Sequence, residues 1–390
     1  MAGGHGVPGH GRGDSGARAK GAVSLETVEE PVPPYEIVGE LKRFSARNVV
    51  FSRAQWDPTC RVSRSDLTAE EVAARGHAGY AVDDFALNAG AWAMARHLYR
   101  PGMDAPDARY MEAAEVTGVS DAGEGLSGRV KAAALFYGAA RVGIARVNPL
   151  WIYSADRDGT PLDLPAGMDT AVVIAIEMDY DRVKRSPSIE SAAATGLGYS
   201  RMAFVASCVA RYLEELGFGA IACGNDTALS IPLAIDAGLG EVGRNGLLVT
   251  PECGPRVRLC KVLTDAPLTP DEPIEFGVRE FCQVCMKCAD TCPVRCISRG
   301  EPTAEGRSPS NNPGVLKWYT EPEACLSYWG ANGACCSNCV ASCPFNKPLG
   351  AVHDWARGII GRRSPALDRA LVWVDDALGY GRVRSGGAKG

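Results

Sequence analysis

The sequence predicts an α/β domain followed by a small metal-binding domain, and three observations support this. Helix-like and strand-like segments alternate between residues 111 and 275, a pattern typical of a sheet covered by helices. Ten of the fifteen cysteines fall between Cys282 and Cys343. The apolar content of 46% and the charged content of 22% are those of a globular protein. The 390 residues are enough for two such domains.

The alternating segments each carry a local signal. SGRVKAAALFYGAARVGIARV predicts a helix from about Ser127 and then a strand from Arg141 to Val147. DTAVVIAIEMD, FGAIACG and RVRLCKVLTD are short apolar runs between turn residues, and they predict buried strands. SRMAFVASCVARYLEELGFG predicts a helix from Ser200 that ends before Gly217. Its apolar stripe consists of Met202, Val205, Val209, Leu213 and Leu216.

The cysteines form two motifs that each end in Cys-Pro. The first has the spacing of the bacterial ferredoxin run, in which the fourth cysteine binds the other of two clusters. Such crossed ligation predicts two 4Fe–4S clusters. The motifs are Cys282-x2-Cys285-x2-Cys288-x3-Cys292-Pro293 and Cys325-x10-Cys336-x2-Cys339-x3-Cys343-Pro344. One cluster is assigned Cys282, Cys285, Cys288 and Cys343, and the other Cys292, Cys325, Cys336 and Cys339.

Alternatives to this assignment remain open from spacing alone. Cys335 could replace Cys336, although only Cys336 gives the x2 spacing to Cys339. Cys296 and Cys335 are then expected to be free thiols. A zinc ribbon is a weaker alternative, because it favours two separated C-x2-C pairs around one closed site. A disulfide framework does not fit a cytosolic chain, and the C-x-x-C-H motif of c-type haem is absent.

Three glycines imitate a dinucleotide-binding fingerprint. Gly238, Gly240 and Gly243 have the G-x-G-x-x-G spacing, but the fingerprint requires a preceding strand and a following helix. Here a helix-like segment precedes them and a strand-like segment follows. The sequence therefore predicts a tight helix-to-strand turn and not a nicotinamide site.

The chain resembles the corrinoid-dependent reductive dehalogenases. The resemblance rests on GYSRMAFVASCVARYLEELGFGAIACGND, AGLGEVGRNGLLVTPECGPRVRLCKVLTDAPL, the upstream LKRFSARNVVFSRAQWD and both cysteine motifs. Epoxyqueuosine reductases share part of this pattern more loosely. The resemblance implies a nitroreductase-like α/β domain that binds base-off cobalamin, followed by a ferredoxin-like domain with two 4Fe–4S clusters. The expected divisions are a disordered tail (1–30), an N-terminal region (31–110), the corrinoid-binding domain (111–275), the ferredoxin-like domain (276–350) and a C-terminal extension (351–390).

The resemblance also implies the activity and its residues. A reductive dehalogenase replaces halogen on carbon with hydrogen, using cob(I)alamin, two electrons and a proton. Tyr199 matches the family's proton donor, Arg258 the cation that stabilises the resulting phenolate, and Asn225 an asparagine that orients tyrosine or substrate. Lys261 is the substitute for Arg258, since some family members use lysine. The corrinoid is expected against the turn that contains Gly240, Gly243 and Asn245.

Aromatic residues in the loops near 52–110 and 150–200 are candidates for the substrate pocket. They could line it or fill the core, and the sequence does not decide between these. The six are Trp56, Tyr80, Trp92, Tyr110, Trp151 and Tyr153.

Charge and hydropathy indicate the expected surroundings and partners. The net charge of −5 and the pI of about 5.7 give no basic footprint for nucleic acid. This disfavours the alternative of an epoxyqueuosine-reductase-like enzyme that acts on tRNA. No apolar run is long enough to span a bilayer, and no export signal is seen near the start, so a cytoplasmic location is expected. The expected partners are an organohalide and an external ferredoxin or flavodoxin with its reductase. A ferredoxin-type electron carrier is the remaining alternative.

Overall fold

The computed structural model describes residues 35–62, 68–98 and 125–381. The predicted tail of residues 1–30 and the candidate pocket residue Tyr110 lie outside these ranges. Strands and helices alternate through the middle of the chain, and short helices carry the cysteine motifs. The strands of the described ranges are β1 (Arg141–Arg146), β2 (Thr170–Glu177), β3 (Ala220–Cys223), β4 (Glu241–Val242), β5 (Leu248–Val249) and β6 (Val257–Thr264).

The central sheet has the strand order β1-β2-β6-β3, and each neighbouring pair is antiparallel. In the register, Ile174 lies opposite Cys260, and Val262 lies opposite both Val172 and Ala222. Strands β2 and β3 therefore run in the same direction with β6 between them. Strands β4 and β5 form a separate hairpin, so the glycines around Gly240 belong to a hairpin and not to a nucleotide-binding turn.

The helices cover the sheet and carry the cysteines. Two short 3-10 helices, Ala46–Asn48 and Pro149–Trp151, accompany them. The α-helices of the described ranges are α1 (Val50–Trp56), α2 (Ala69–Ala73), α3 (Val82–Trp92), α4 (Leu126–Phe136), α5 (Tyr180–Val183), α6 (Ile189–Glu215), α7 (Ser230–Asp236), α8 (Val278–Val284), α9 (Lys287–Asp290), α10 (Pro322–Asn332), α11 (Asn338–Ala341), α12 (Ala351–Ile360) and α13 (Pro365–Ala377).

The two faces of the sheet have different cores. Helices α4 and α6 pack on one face, where Cys260 and Val262 of β6 point. Helix α7 packs on the other face, where Leu259 and Leu263 point. Apart from Leu216, which caps α6 and packs against the core, the predicted stripe of α6 is fully buried. The alternation along β6 thus separates the side chains of two opposite faces.

Helix α6 is longer than the sequence predicts. It begins at Ile189 and not at Ser200, because the Ser188 side chain caps it by accepting from the Ser191 amide. The prediction of a helix start at Ser200 was therefore wrong. Gly196 and Gly198 lie within the helix, so Tyr199 occupies its interior and not its first turn.

The C-terminal helix α13 is fastened to the cysteine-bearing segments through a buried acid. Asp375 forms ion pairs with Lys287, which lies between two cysteines of the first motif, and with Lys347. All three side chains are at most 10% exposed. Among the described helices, none combines the length and the apolarity that a membrane span requires.

Candidate active site and cysteine-lined cavity

Four cysteines from two distant segments line one cavity. Three come from helices α8 and α9 and the turn between them, and the fourth follows α11. The cavity has a volume of about 320 Å³, which includes space open to solvent. Its wall contains Cys282, Cys285, Cys288 and Cys343, the four residues assigned to one cluster by crossed ligation. Among the described side chains, no three metal ligands converge closely enough to hold a single ion, and these thiols surround a larger space.

Burial makes these thiols difficult to ionise without a metal. It raises the pKa of Cys282 to about 11 and that of Cys285 to about 12. Burial also raises the pKa of Cys288 and Cys343, and the neighbouring thiols raise both further. Iron binds thiolates and must displace these protons. The donor set and the cavity therefore fit an iron–sulfur cluster of the ferredoxin type.

The second set of thiols is packed beside the first. Cys292, Cys325 and Cys339 belong to one apolar group. Burial raises the pKa of Cys339 most, and the nearby thiols of Cys336, Cys296 and Cys292 raise it further. The four residues assigned to the second cluster are thus brought close together, and Cys296, which is not one of the four, lies beside them.

The two adjacent cysteines at 335 and 336 face different surroundings. The Cys336 sulfur accepts a bond from the Asn338 amide at 3.5 Å, and Cys292 is among its neighbours. Cys335 packs in the apolar group of Tyr80 and Ile189. Burial raises the pKa of Cys335, and the nearby Arg258 guanidinium offsets this increase only in part. The arrangement favours Cys336 over Cys335 as the ligand.

Cys296 is the cysteine whose position the sequence did not anticipate. Its sulfur lies 3.4 Å from the sulfur of Cys292, and its side chain is buried. The x3 spacing after Cys292 has no place in the ferredoxin run, so only the fold reveals this proximity.

The hairpin residues predicted to hold the corrinoid lie against the first set of thiols. Gly243 and Asn245 line the same cavity as the four cysteines. Gly240 is pressed against the opposite strand, because a Cβ there would lie 2.1 Å from the Val249 carbonyl oxygen. Arg244, which the sequence reasoning missed, donates to the carbonyl oxygens of Cys282, Ser298 and Gly300 at 2.9 to 3.1 Å.

A separate polar group surrounds the hydroxyl of Tyr199. Helix α6 presents this half-buried side chain, and the loop after β3 presents the exposed Asn225. The Asn225 amide nitrogen donates to the Tyr199 hydroxyl oxygen at 2.9 Å. Since the oxygen accepts this bond, the hydroxyl hydrogen is available to another acceptor.

Arg258 lies beside the same tyrosine. Strand β6 projects it onto the face covered by α6, where its guanidinium carbon is 5.3 Å from the centre of the Tyr199 ring. One terminal nitrogen donates to the Thr195 hydroxyl at 3.1 Å. Its Nε is buried without a hydrogen-bond partner among the described residues. An orphaned donor of this kind is suited to a bound molecule or a developing negative charge.

Two glycines of α6 create the space for this arrangement. A Cβ at Gly196 would lie 2.4 Å from the Trp92 ring, and a Cβ at Gly198 would lie 2.9 Å from Cγ of Arg258. The missing side chains thus let Trp92 and Arg258 approach the helix on either side of Tyr199.

The other basic residues of β6 and its entry have structural positions. Lys261 is fully buried on the opposite face of the sheet and bonds to the loop after β3, so it cannot replace Arg258 at Tyr199. Arg256 is also buried, and it donates to Asn346, Glu177 and the Met178 carbonyl oxygen. Arg258 is therefore the strand's cation that faces the tyrosine.

The structure separates the candidate pocket aromatics. Trp92 stacks on Tyr199 with ring centres 5.1 Å apart. Tyr80, Trp151 and Tyr153 are buried in the core. Trp56 is exposed, and it packs with Arg47. Trp92 alone among the five described aromatics contacts the predicted acid.

Sequence comparisons identify related proteins. No family model matches the chain. A tetrachloroethene reductive dehalogenase of Desulfitobacterium hafniense is 46% identical over 215 residues, which are 54% of this chain and 39% of that protein. Another from Sulfurospirillum multivorans is 37% identical over 290 residues, 67% of this chain and 58% of that protein. The matches thus span about half the length of these relatives.

Solved structures give a consistent result. A catabolic reductive dehalogenase, NpRdhA, superposes with a TM-score of 0.69 and 26% identity, covering 90% of this chain and 48% of that chain. Its complex with 3-bromo-4-hydroxybenzoic acid gives the same TM-score at 25% identity. A more distant relative was found by sequence comparison: an epoxyqueuosine reductase of Lactococcus garvieae is 30% identical over 126 residues, which are 31% of this chain and 33% of that protein. The chain is therefore related in sequence and in mixed helix–sheet fold to the reductive dehalogenases, and more distantly to the epoxyqueuosine reductases.

Proposed function

We propose that this chain is a reductive dehalogenase. The reaction takes an organohalide, two electrons and one proton, and it yields halide and a product with hydrogen in place of the halogen. The observation that carries the proposal is a hydroxyl donor, Tyr199, flanked by Asn225 and Arg258, in a chain that also groups eight cysteines. Both features lie in a chain related to the reductive dehalogenases. The match to epoxyqueuosine reductase is shorter and does not favour that activity.

The proposed cofactors are two 4Fe–4S clusters and a base-off corrinoid. When bound, the clusters would supply single electrons, and the corrinoid would supply the strongly reducing cobalt chemistry that cleavage of a carbon–halogen bond requires. The hairpin of Gly240, Gly243 and Asn245 is the proposed contact of the corrinoid. One cluster is held by Cys282, Cys285, Cys288 and Cys343, and the other by Cys292, Cys325, Cys336 and Cys339. Residues 111–275 form the proposed nitroreductase-like domain, and residues 276–350 the ferredoxin-like domain.

Tyr199 supplies the proton at the carbon from which the halide departs. Its oxygen accepts a bond from Asn225, so its hydrogen can point at the substrate. As the O–H bond breaks, the phenolate oxygen keeps the Asn225 bond and gains the attraction of the Arg258 charge. Arg258 does not give up its own proton. The breaking carbon–halogen bond leaves its electron pair on the halide, and the two electrons from the external donor together with the Tyr199 proton form the new carbon–hydrogen bond.

The substrate is an organohalide that reaches the hydroxyl side of Tyr199. Trp92 covers one face of the tyrosine ring and so restricts the approach. The external electron donor is a ferredoxin or flavodoxin with its reductase, and the proposed location is the cytoplasm. No role for nucleic acid is proposed.

The test is halide release by protein reconstituted without oxygen. Iron, sulfide and cobalamin are added, and a reduced viologen replaces the natural donor. Tetrachloroethene and 3-bromo-4-hydroxybenzoic acid are the first substrates, because named relatives act on or bind them. We expect about eight iron atoms per chain and halide release that requires both cofactors. Fully loaded protein that releases no halide from either compound, or from a panel of aryl and vinyl halides, would contradict the proposal.

A further inference from the structure

A fully buried lysine plays no part in the proposed proton transfer. Lys261 lies on β6 at 0% exposure, among apolar residues on the face away from Tyr199. Its ammonium donates to the carbonyl oxygens of Gly224 and Ala228 at 2.7 and 2.8 Å, and to the Ser230 hydroxyl at 3.1 Å. One side chain therefore joins both ends of a single loop.

That loop carries Asn225. It connects the end of β3 at Cys223 to the start of α7 at Ser230. Asn225 directly follows Gly224, whose carbonyl oxygen Lys261 holds. The loop includes a residue with positive φ, Thr227 at +69°, a conformation that is uncommon for a side chain with a branched Cβ. Backbone bonds hold the second half of the loop at Asp226, Thr227 and Leu229, whereas the Gly224 carbonyl oxygen, next to Asn225, accepts from Lys261.

We propose that Lys261 is a positioning residue that holds the Asn225 amide against the Tyr199 hydroxyl. The inference rests on the proposed function, in which that hydroxyl is the acid. Lys261 acts from behind the sheet: it contacts the loop, and the loop presents the amide. Lys261 touches neither Tyr199 nor the side of Tyr199 on which the substrate binds.

The energetics explain why a lysine occupies a core position. An ammonium removed from water is costly unless hydrogen bonds compensate it. Burial accordingly lowers the pKa of Lys261. Its three hydrogen-bond partners are uncharged, and the attraction of the nearby Asp226 carboxylate offsets the burial cost only in part. An apolar residue would suit the core better, but it would leave two carbonyl oxygens and a hydroxyl without donors. One ammonium has three donors, which match these three acceptors.

The test compares variants of the reconstituted full-length protein. Lys261→Met keeps the length of the side chain and removes its three donors. Asn225→Ala removes the amide, and the double variant completes a cycle. Leu263→Ala is the matched control, because it opens a buried position on the same face of β6 and removes no hydrogen bond to the loop. Ser230→Ala removes one acceptor only and serves if Lys261→Met does not fold.

We expect the effect of Lys261→Met on kcat to depend on whether Asn225 is present. Lys261→Met should lower kcat about five- to tenfold, the effect of one weakened hydrogen bond, and should leave KM nearly unchanged. In the Asn225→Ala background it should lower kcat no further, whereas Leu263→Ala should act equally in both backgrounds. Ser230→Ala should show the same dependence to a smaller extent. Equal loss of kcat from Lys261→Met in both backgrounds would overturn the inference.

A second measurement separates this inference from the proposed function. Amide hydrogen exchange at residues 224–230 reports the order of the loop and does not need turnover. We expect faster exchange there in Lys261→Met, and to a lesser degree in Ser230→Ala, with no such change in Leu263→Ala. Unchanged exchange in the loop would refute the anchoring even if dehalogenation is observed. If the wild-type protein releases no halide, the proposed function fails, and exchange alone decides whether Lys261 anchors the loop.

Discussion

Replacement of Gly198 by alanine should slow turnover while favouring the helix that contains it. An added Cβ would lie 2.9 Å from Cγ and 3.7 Å from Cβ of Arg258, and 3.4 Å from Cγ of Met178. Carbon atoms pack at about 3.5 to 4.0 Å. Arg258 must therefore move away from α6 by about 0.6 Å or more. Its bond of 3.1 Å to Thr195 would then stretch or break.

The magnitude follows from two opposed effects. In the interior of a helix, alanine is favoured over glycine by about 1 kcal/mol, which offsets part of the cost of the contact. A misplacement of about 1 Å near a reacting group can cost about a hundredfold in rate. For a cation whose guanidinium carbon lies 5.3 Å from the centre of the Tyr199 ring, we expect kcat to fall about ten- to hundredfold. The free energy of unfolding should change by no more than about 1 to 2 kcal/mol.

The assay measures halide release with reduced viologen, together with iron content, corrinoid content and thermal unfolding. Gly358→Ala is the matched control, because Gly358 is also within a helix and has nothing within 4 Å of its added Cβ. In an Arg258→Met background, Gly198→Ala should have little further effect on kcat. Full turnover in Gly198→Ala, with both cofactors bound, would refute the reasoning that this glycine places the cation.

The remaining predictions concern the acid and the cysteines. Tyr199→Phe should keep both cofactors and lower kcat by about 10² to 10⁴, the usual contribution of a positioned acid; unchanged turnover would remove Tyr199 from this role. Cys336→Ser should lose about half of the iron and Cys335→Ser none, measured by iron analysis, and equal iron in the two variants would contradict the assignment. Without metal, burial raises the pKa of Cys282 to about 11 and of Cys285 to about 12, above the value of about 8.5 for an unfolded thiol. Stability from these neutral thiols is present below pH 8.5 and is lost as the pH rises. The Tm of metal-free protein should therefore fall from pH 8 to pH 10, and that of loaded protein should fall less.

The sequence predicted the individual elements better than their arrangement. Strands β1, β2, β3 and β6 and helices α4 and α7 occur where apolar periodicity placed them, because each has its own buried face. Their antiparallel pairing depends on contacts between distant segments, such as β6 between β2 and β3, and local patterns do not contain this information. The early start of α6 was missed because Gly196 and Gly198 disfavour a helix locally, while packing against Trp92 and Arg258 requires them there.

The candidate site divides in a similar way. Cysteine spacing groups Cys343 with the first motif, and the structure places Cys343 in the same cavity wall as Cys282, Cys285 and Cys288. Their assignment as ligands of one cluster stays a prediction. The resemblance supplied Tyr199, Asn225 and Arg258, which the structure brings together. Trp92 was one of six candidate aromatics between which the sequence did not decide. Thr195, which accepts a hydrogen bond from Arg258, and the two glycines, which act through their missing side chains, were not predicted. From the sequence, Lys261 was named only as a substitute for Arg258, and the fold shows instead that Lys261 reaches the loop of Asn225.

The two basic residues at the first set of thiols also needed the fold. Lys287 and Lys347 lie near the cysteines in sequence, yet their common partner Asp375 comes from helix α13. No local pattern indicates that this acid lies near the cysteine-bearing segments.

The stoichiometry of the reaction tests the central claim most directly. Protein loaded with both cofactors is mixed with excess reduced viologen and one substrate in D₂O, and halide, oxidised viologen and deuterium in the product are counted. A reductive dehalogenation in which Tyr199 delivers a solvent-exchangeable proton predicts two viologens oxidised and one deuterium incorporated for each halide released. Halide release without oxidation of viologen, or with oxygen in place of deuterium in the product, would show hydrolytic chemistry and contradict the account.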